Sequence, residues 1–206
     1  MVRAMPLLSE AFFARDALIV ARELIGAELV RDEVVVRITE VEAYRHPSDS
    51  ASHCRMGRTA RNAPMWGPPG RAYVYLCYGV HSMLNLVTGS EGEGAAVLVR
   101  SVEAVRGIPT IERRRGRRIG ARDLAGPGKV AQALGLGTAW SHHPVIEAGG
   151  LECRAGERVE RLLVGPRVGI DYATPRDRRA PYRFADPAST SVTERSTLRL
   201  ERGRAS

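Results

Sequence analysis

Apolar residues recur at Leu18, Ala21, Leu24 and Ile25, a three- and four-residue spacing that places them on one face of a helix. Asp16 stands ahead of this run and can cap it by accepting a free backbone N–H. Gly26 follows it, where a left-handed stop costs nothing sterically. Over 33–44 the pattern changes to dense β-branching (Val34, Val35, Val36, Ile38, Thr39, Val41), which predicts one or two strands. Residues 45–70 are rich in Pro, Gly, Ser and Arg and read as a long loop of the kind that often carries function. Strand character returns over 71–78 and 83–88. A turn at 91–94 then leads to an apolar strand over 95–103, expected to pair with the strand before it as a hairpin. Residues 106–122 are polar and arginine-dense. Gly126-Pro127-Gly128 predicts a turn into a short helix over 130–134, and 162–170 is a candidate strand pair. Beyond Asp186 the composition turns polar, and the tail from about 193 is expected to fray.

A chain of 206 residues suits one domain and buries about 70% of its unfolded surface on folding. These elements predict a single α+β domain over 1–206 with an ordered core over about 7–192. Its expected form is a curved, mainly antiparallel β-sheet or open barrel flanked by short helices.

Charge narrows the partners. Lysine and arginine number 31 against 23 acidic residues, giving a formal charge of +8. Such an excess favours polyanions through counterion release. Lys129 is the one lysine among those basic residues. Cys54, Cys77 and Cys153 include no Cys-x-x-Cys pair, which argues against a disulfide framework and a structural zinc site. No metal and no other cofactor is expected. No apolar run approaches the length of a membrane span, so a soluble protein of a reducing, cytoplasmic compartment is expected.

Three features carry candidate chemistry. In Thr39-Glu40-Val41-Glu42-Ala43-Tyr44, residues two apart share a strand face, so Glu40, Glu42 and Tyr44 are expected to follow Val36 and Ile38 on one side. A carboxylate at the edge of a buried stripe is partly desolvated and suits a base. Taken alone, two glutamates at a strand end are more often simply solvated. Tyr73, Tyr75 and Tyr78 fall within six residues, although aromatics make up 5% of the chain. Tyr73 and Tyr75 share a face, and Tyr78 precedes Gly79, where a strand can turn and project a side chain. Such tyrosines ordinarily pack a half-buried strand; in a basic, aromatic-poor chain they also suit stacking on nucleobases. The long loop contributes His53, Arg55, Arg58, Arg61 and Asn62, an ordinary solvated set unless brought to the other two features.

Together these residues match a larger pattern. Glu42-Ala43-Tyr44, Ala51-Ser52-His53, Arg61-Asn62, Tyr73-Val74-Tyr75 with Tyr78-Gly79, Asn85, Val97-Leu98-Val99-Arg100 and Gly126-Pro127-Gly128-Lys129 occur in an order and spacing that resembles the alkyladenine (methylpurine) DNA glycosylase family. Arg167-Val168-Gly169-Ile170 and Arg183-Phe184 look like its later segments, so the resemblance covers about 7–192; Met65-Trp66-Gly67 departs from it in detail. The family's curved antiparallel fold agrees with the elements above.

The resemblance implies that Glu42 is the general base, holding a water that attacks the anomeric carbon of an extruded nucleotide, and that Arg100 positions this water. Chemistry allows one carboxylate to suffice: an alkylated purine is a good leaving group, and the oxocarbenium that develops is stabilised by a nearby negative charge. On its expected strand Arg100 follows Ala96 and Leu98 on one face, so a buried guanidinium there needs a partner such as Glu42. Tyr44, His53 and Tyr75 match residues that sandwich the flipped base, and Asn85 matches the one that crowds the purine 2-position against guanine. Tyr78 matches the wedge that fills the gap in the duplex. Arg58, Arg61 and Lys129 are implied DNA-backbone contacts. The run 113–118 reads equally as a set of phosphate contacts or as a solvated flexible loop.

The implied protein is a monomeric hydrolase of N-glycosyl bonds acting in base excision repair, cytoplasmic and nucleoid-associated in a prokaryote. Its implied partner is double-stranded DNA carrying alkylated or deaminated purines, of the class of 3-methyladenine, 7-methylguanine, hypoxanthine and ethenoadenine. A non-catalytic nucleic-acid-binding module of the same fold is the alternative, and the Glu42 and Arg100 pair argues against it. Backbone nicking needs an amine nucleophile. With Lys129 the one lysine, set in a turn at a helix start, a monofunctional enzyme that uses water is expected.

Overall fold

The computed structural model describes residues 5–201. In chain order its elements are α1 (Glu10–Phe13), α2 (Ala17–Leu24), β1 (Glu28–Arg31), β2 (Val34–Tyr44), β3 (Ala72–Cys77), β4 (His81–Thr88) and β5 (Ala95–Arg106). There follow α3 (Ile108–Arg115), α4 (Pro127–Leu134), β6 (Leu151–Arg154), β7 (Leu163–Gly165), α5 (Pro175–Arg179), β8 (Arg183–Ala185) and β9 (Arg199–Leu200). All nine strands belong to one open sheet with antiparallel pairings, so the α+β expectation holds.

β2 organises the sheet. One edge pairs with β5 along nearly its whole length. The other edge is divided, with β1 opposite residues 34–37 and β8 opposite residues 40–42. The sheet therefore forks, towards β6 through β1 and towards β7 and β9 through β8. The apolar face of α2, with Val20, Ala21 and Leu24, packs in the same core as Val130 and Leu134 of α4 and the inward residues of β2 and β5. Each fully buried valine or leucine side chain there stabilises the fold by about 1.5–3 kcal/mol. The α2 ends are as expected: Asp16 accepts the Leu18 N–H at 2.8 Å, and Gly26 has φ +92°. A Cβ at Gly26 would lie 2.0 Å from the Glu157 carbonyl oxygen, so the close approach as well as the turn requires glycine.

The strand face of the two glutamates differs from the expectation. Val34, Val36 and Ile38 point into the main core, but beyond them it is Val41 and Ala43 that do so. The β2–β5 register shifts between Ile38 and Glu40 and again between Glu40 and Val41. β5 shows the matching change, with Val97 and Val99 but then Val102 in the core. Because side chains alternate with period two, a one-residue slip exchanges the faces of everything after it. Glu42 and Tyr44 thus stand on the side opposite Val36 and Ile38. On that side one row crosses five strands in direct register: Tyr73, Asn85, Leu98, Glu42 and Arg183.

Several elements were not expected. β1 and β6 are four-residue strands that pair with each other, and β1 also pairs with β2, so tertiary pairing rather than a long periodic run defines them. The polar stretch 106–122 contains α3, which starts at Ile108-Pro109 and ends at the left-handed Gly116. Several of its arginines bond within the protein: Arg114 bonds Asp32 and the Ala133 carbonyl, Arg115 bonds Gln132, and Arg117 bonds Asp123. The run 113–118 is thus helical as far as Arg115 rather than a loop throughout, and Arg113, Arg117 and Arg118 are exposed. Within 162–170 there is one short strand, not a pair, with Pro166 directly after it. Of the tail expected to fray from about 193, the part 193–201 is instead fastened, with β9 paired to β7 and Arg22 bonded to Glu201 at 2.5 Å, and 202–206 lie outside the described residues.

Candidate active site

A cavity of about 1160 Å³ opens between the sheet and the loop 45–70. Tyr44, His53, Tyr75, Asn85 and Arg100 all line it, so five of the expected site residues converge although they come from four strands and a loop. Tyr78 and Arg61 stand among its lining as well. Arg58 and Lys129 do not; both are exposed, Lys129 in the first turn of α4 next to the cavity residue Pro127.

Glu42 has no exposed surface and lies directly behind this wall. Its Oε1 accepts from the Val168 N–H at 2.8 Å and lies 3.2 Å from Arg100 Nη1; its Oε2 accepts from the Tyr44 hydroxyl at 2.8 Å. Tyr44, Arg100 and Val168 are all cavity residues, so the side chains and backbone that hold the carboxylate also separate it from the cavity. A carboxylate accepts up to about four hydrogen bonds. Among the described residues Oε2 accepts one, which leaves it capacity for a water. The sequence placed Glu42 at the edge of an apolar face; its surroundings are instead polar and fully enclosed.

Glu40 is also fully buried, but it is saturated. Its oxygens accept from Arg183 Nη1 (3.0 Å), the Ser101 hydroxyl (2.6 Å), and both the N–H (2.8 Å) and hydroxyl (2.7 Å) of Thr193. It belongs to the frame, not to the cavity. Arg100 lies between the two glutamates, its Nε 3.5 Å from Glu40. Burial opposes the charge of Arg100, but Glu42 and then Glu40 outweigh it and hold the guanidinium pKa above its ordinary value.

The aromatic walls are ordered by their own contacts. His53 meets Tyr75 edge-on at 4.4 Å between centroids, and its Nδ1 lies 3.1 Å from the Tyr73 hydroxyl. Burial, then Arg61 and Arg55, push the His53 pKa down to about 4, so the imidazole is neutral at neutral pH. Burial, then Glu42, raise the Tyr44 pKa well above ordinary, keeping its hydroxyl a donor. Behind Tyr44 the Arg167 guanidinium stacks 4.6 Å from the ring centroid and forms a bidentate pair with Asp49 at 2.6 and 2.8 Å. Asn85 Nδ2 donates to the carbonyls of Tyr73 (3.2 Å) and Met83 (3.3 Å), which fixes its orientation at the cavity edge.

The loop is long but pinned. Asn62 is buried and donates to the carbonyls of His53 and Gly57, both at 2.9 Å, while accepting from the Thr59 N–H and Trp66 Nε1. This anchors His53 and the chain that follows it. Arg61 donates to the Leu76 carbonyl at 3.1 Å and sits over Tyr75. At the β3–β4 tip, Tyr78 and Gly79 have φ of 51° and 70°, and the Val80 N–H bonds the Cys77 carbonyl at 3.1 Å. Two successive left-handed residues make the tight turn that fits a twisted hairpin. The Tyr78 ring is thereby held 94% exposed, in a backbone conformation that non-glycine residues seldom adopt. Among the described residues, no group of three His, Cys, Asp or Glu side chains is placed to hold a metal.

Val168, Asp49, Thr193 and the stacking role of Arg167 were missed by sequence reasoning. Only Arg167-Val168 carried a signal, as part of a matching segment; the others are ordinary polar residues whose importance comes from distant partners.

Comparison with known proteins places this geometry in a family. A family model described as Methylpurine-DNA glycosylase matches residues 11–190. A Nitrosococcus oceani protein with the provisional name 3-methyladenine DNA glycosylase is 59% identical over 192 residues, 93% of this chain and 96% of its own length. A DNA-3-methyladenine glycosylase of Arabidopsis thaliana is 58% identical over 183 residues, covering 88% of this chain and 72% of that protein. A Methanocella arvoryzae relative, also provisionally named 3-methyladenine DNA glycosylase, is 41% identical over 93% of this chain and 98% of its own. The cavity, its aromatic walls and these matches lead to one conclusion: the chain belongs to the methylpurine-DNA glycosylase family.

Proposed function

We propose that this chain is a monofunctional DNA glycosylase that extrudes a damaged purine from duplex DNA and hydrolyses its N-glycosidic bond with a water activated by Glu42. Family membership makes it a hydrolase of N-glycosyl bonds with DNA as substrate. The observation that carries the finer reading is the Glu42 carboxylate, enclosed behind the cavity wall and oriented by Arg100, Tyr44 and the Val168 N–H.

In this reading the base enters between Tyr44 on one side and His53 with Tyr75 on the other, in the manner of base-flipping enzymes. A neutral imidazole suits the task, since a cationic one would repel an alkylated, positively charged purine. Asn85 lies at the cavity edge to act on the substituents that distinguish guanine. As the glycosidic bond lengthens, positive charge grows on the sugar, and a preorganised carboxylate nearby lowers the barrier. Glu42 has no exposed surface, so the attacking water must be admitted between Tyr44 and Arg100, the side chains that line the cavity and touch the carboxylate. Glu42 Oε2 takes the water's proton. Tyr78, rigidly presented at the hairpin tip, is the wedge that occupies the vacated place in the duplex, and Arg61 and the exposed Arg58 and Lys129 serve the backbone. Lys129 lies outside the cavity lining, so no side-chain amine of the site can form an imine with the sugar. The substrates proposed are alkylated and deaminated purines in duplex DNA, processed by a monomer in the cytoplasm.

Glu42→Gln keeps shape and hydrogen bonding but removes the proton acceptor. Single-turnover release of hypoxanthine from a duplex oligonucleotide is expected to fall by about 100-fold or more while lesion binding persists. Release at the wild-type rate contradicts the assignment. Tyr78→Ala should weaken binding to lesion duplex by roughly tenfold, given about 1–3 kcal/mol for a base–aromatic stack, and weaken single-stranded binding much less. Equal losses on both substrates would make Tyr78 something other than a wedge.

The His53 environment gives a pH prediction with a definite sign. Between its folded pKa of about 4 and the ordinary 6.5, the unfolded chain binds more protons than the folded one. Its contribution to stability is therefore complete above pH 6.5 and lost as pH falls towards 4. The His53 ring signals in NMR should titrate near pH 4, and a midpoint near 6.5 would mean that the imidazole is not enclosed as described.

A further inference from the structure

We infer that Thr193 is a positioning residue for base release: its hydroxyl holds the Arg100 guanidinium towards Glu42, which makes the C-terminal segment 191–200 part of the site. The inference rests on the reading of Glu42 and Arg100 given above. It starts from a competition. Arg100 lies between two buried carboxylates, with Nη1 3.2 Å from Glu42 and Nε 3.5 Å from Glu40. A guanidinium so placed can turn fully onto either one, and a complete pairing with Glu40 would draw it off the carboxylate that faces the cavity.

Thr193 settles the competition. Its Oγ1 accepts from Arg100 Nε at 3.2 Å and donates to Glu40 Oε1 at 2.7 Å. A hydroxyl has one donor and two acceptor sites, so it can satisfy both neighbours at once, which an aliphatic group of the same size cannot do. It answers Glu40 with a proton of its own and occupies Arg100 Nε, leaving Nη1 directed at Glu42.

The segment bearing this hydroxyl is fixed through its backbone independently of the side chain. The Thr193 N–H donates to Glu40 Oε2 at 2.8 Å, and its carbonyl accepts from Arg183 Nη1 at 3.0 Å. The Ser191 hydroxyl donates to the Val102 carbonyl at 2.8 Å, and the Ser191 carbonyl accepts from Thr39 at 2.7 Å. Further on, Arg183 bonds the Thr197 hydroxyl, and β9 pairs with β7. Thr193 lies beyond residues 11–190 that the family model matches.

Thr193→Val keeps the shape and all backbone bonds and removes only the hydroxyl. Single-turnover hypoxanthine release is expected to fall about tenfold, with binding to lesion duplex within about twofold of wild type, the pattern of an interaction that serves the transition state. Thr193→Ser should restore most of the rate. Rates are normalised to the fraction that binds lesion DNA, so partial unfolding does not imitate the effect; if the valine variant does not fold, the same contrast is read between Thr193→Ser and Thr193→Ala. A wild-type rate in Thr193→Val, or equal slowing in the valine and serine variants, overturns the inference. Glu42→Gln run in parallel separates the two levels. An active Glu42→Gln overturns the reading beneath, whereas an inactive one beside a fully active Thr193→Val overturns this inference alone.

Discussion

Two carboxylates and two guanidiniums are buried side by side where β2, β5 and β8 meet: Glu40, Glu42, Arg100 and Arg183. Removing four charges from water is costly, and the cost is offset only when each finds partners of good geometry. The structure supplies them from four separate parts of the chain. Glu40 alone draws on Ser101 of β5, Arg183 of β8 and Thr193 of the C-terminal segment. The register of β2 against β5, the seating of β8 and the fastening of the tail are therefore mutually dependent. The breaking of any one leaves a buried charge unsatisfied. Glu42 inherits its position from that frame.

Around this frame, the parts proposed to meet substrate are held by contacts made away from the cavity. Tyr44 is backed by Arg167, which is tied to Asp49 in the loop and to the Ala43 carbonyl. His53 is held by Asn62, which gathers the loop onto itself, and by the Tyr73 hydroxyl. Tyr78 owes its exposure to a two-residue left-handed turn. Rigid support of this kind reduces the ordering needed on binding and lets interaction energy go into the chemical step. The same enclosure sets the proton state of the walls, since burial keeps His53 neutral and Tyr44 protonated.

Much of this was legible in the sequence, for reasons that differ by residue. The α2 helix announces itself through periodicity, Asp16 and Gly26, all of them local signals. The aromatic set, with Glu42, Asn85 and Arg100, forms a pattern whose resemblance to the family implied one site, and the structure brings Tyr44, His53, Tyr75, Asn85 and Arg100 to one cavity. The side of the sheet on which Glu42 stands was misread, because strict alternation cannot register the slip between Ile38 and Val41. β1 and β6 were missed because four residues carry too little period to be seen; their stability is a property of the pairing. The helix α3 was hidden by arginines whose partners, Asp32, Gln132 and the Ala133 carbonyl, are far away in the chain. Thr193 was hidden in the same way: its polar neighbourhood resembles a frayed tail until Glu40 and Arg100 are placed beside it.

In the proposed mechanism the buried charge frame and the chemistry at Glu42 are one unit, coupled through Arg100. A double-mutant cycle on single-turnover base release measures that coupling directly, using Glu40→Gln, Arg100→Met and the combined variant, each normalised to its lesion-binding fraction. Glu40 has no surface in the cavity, so its effect on the rate can come only through the residues it holds. Glu40→Gln is expected to slow release, and the double variant to be slower than Arg100→Met by much less than that factor, a coupling of about 1 kcal/mol or more. Independent, multiplicative losses, or a Glu40→Gln enzyme that is less stable but releases base at the wild-type rate, would contradict it.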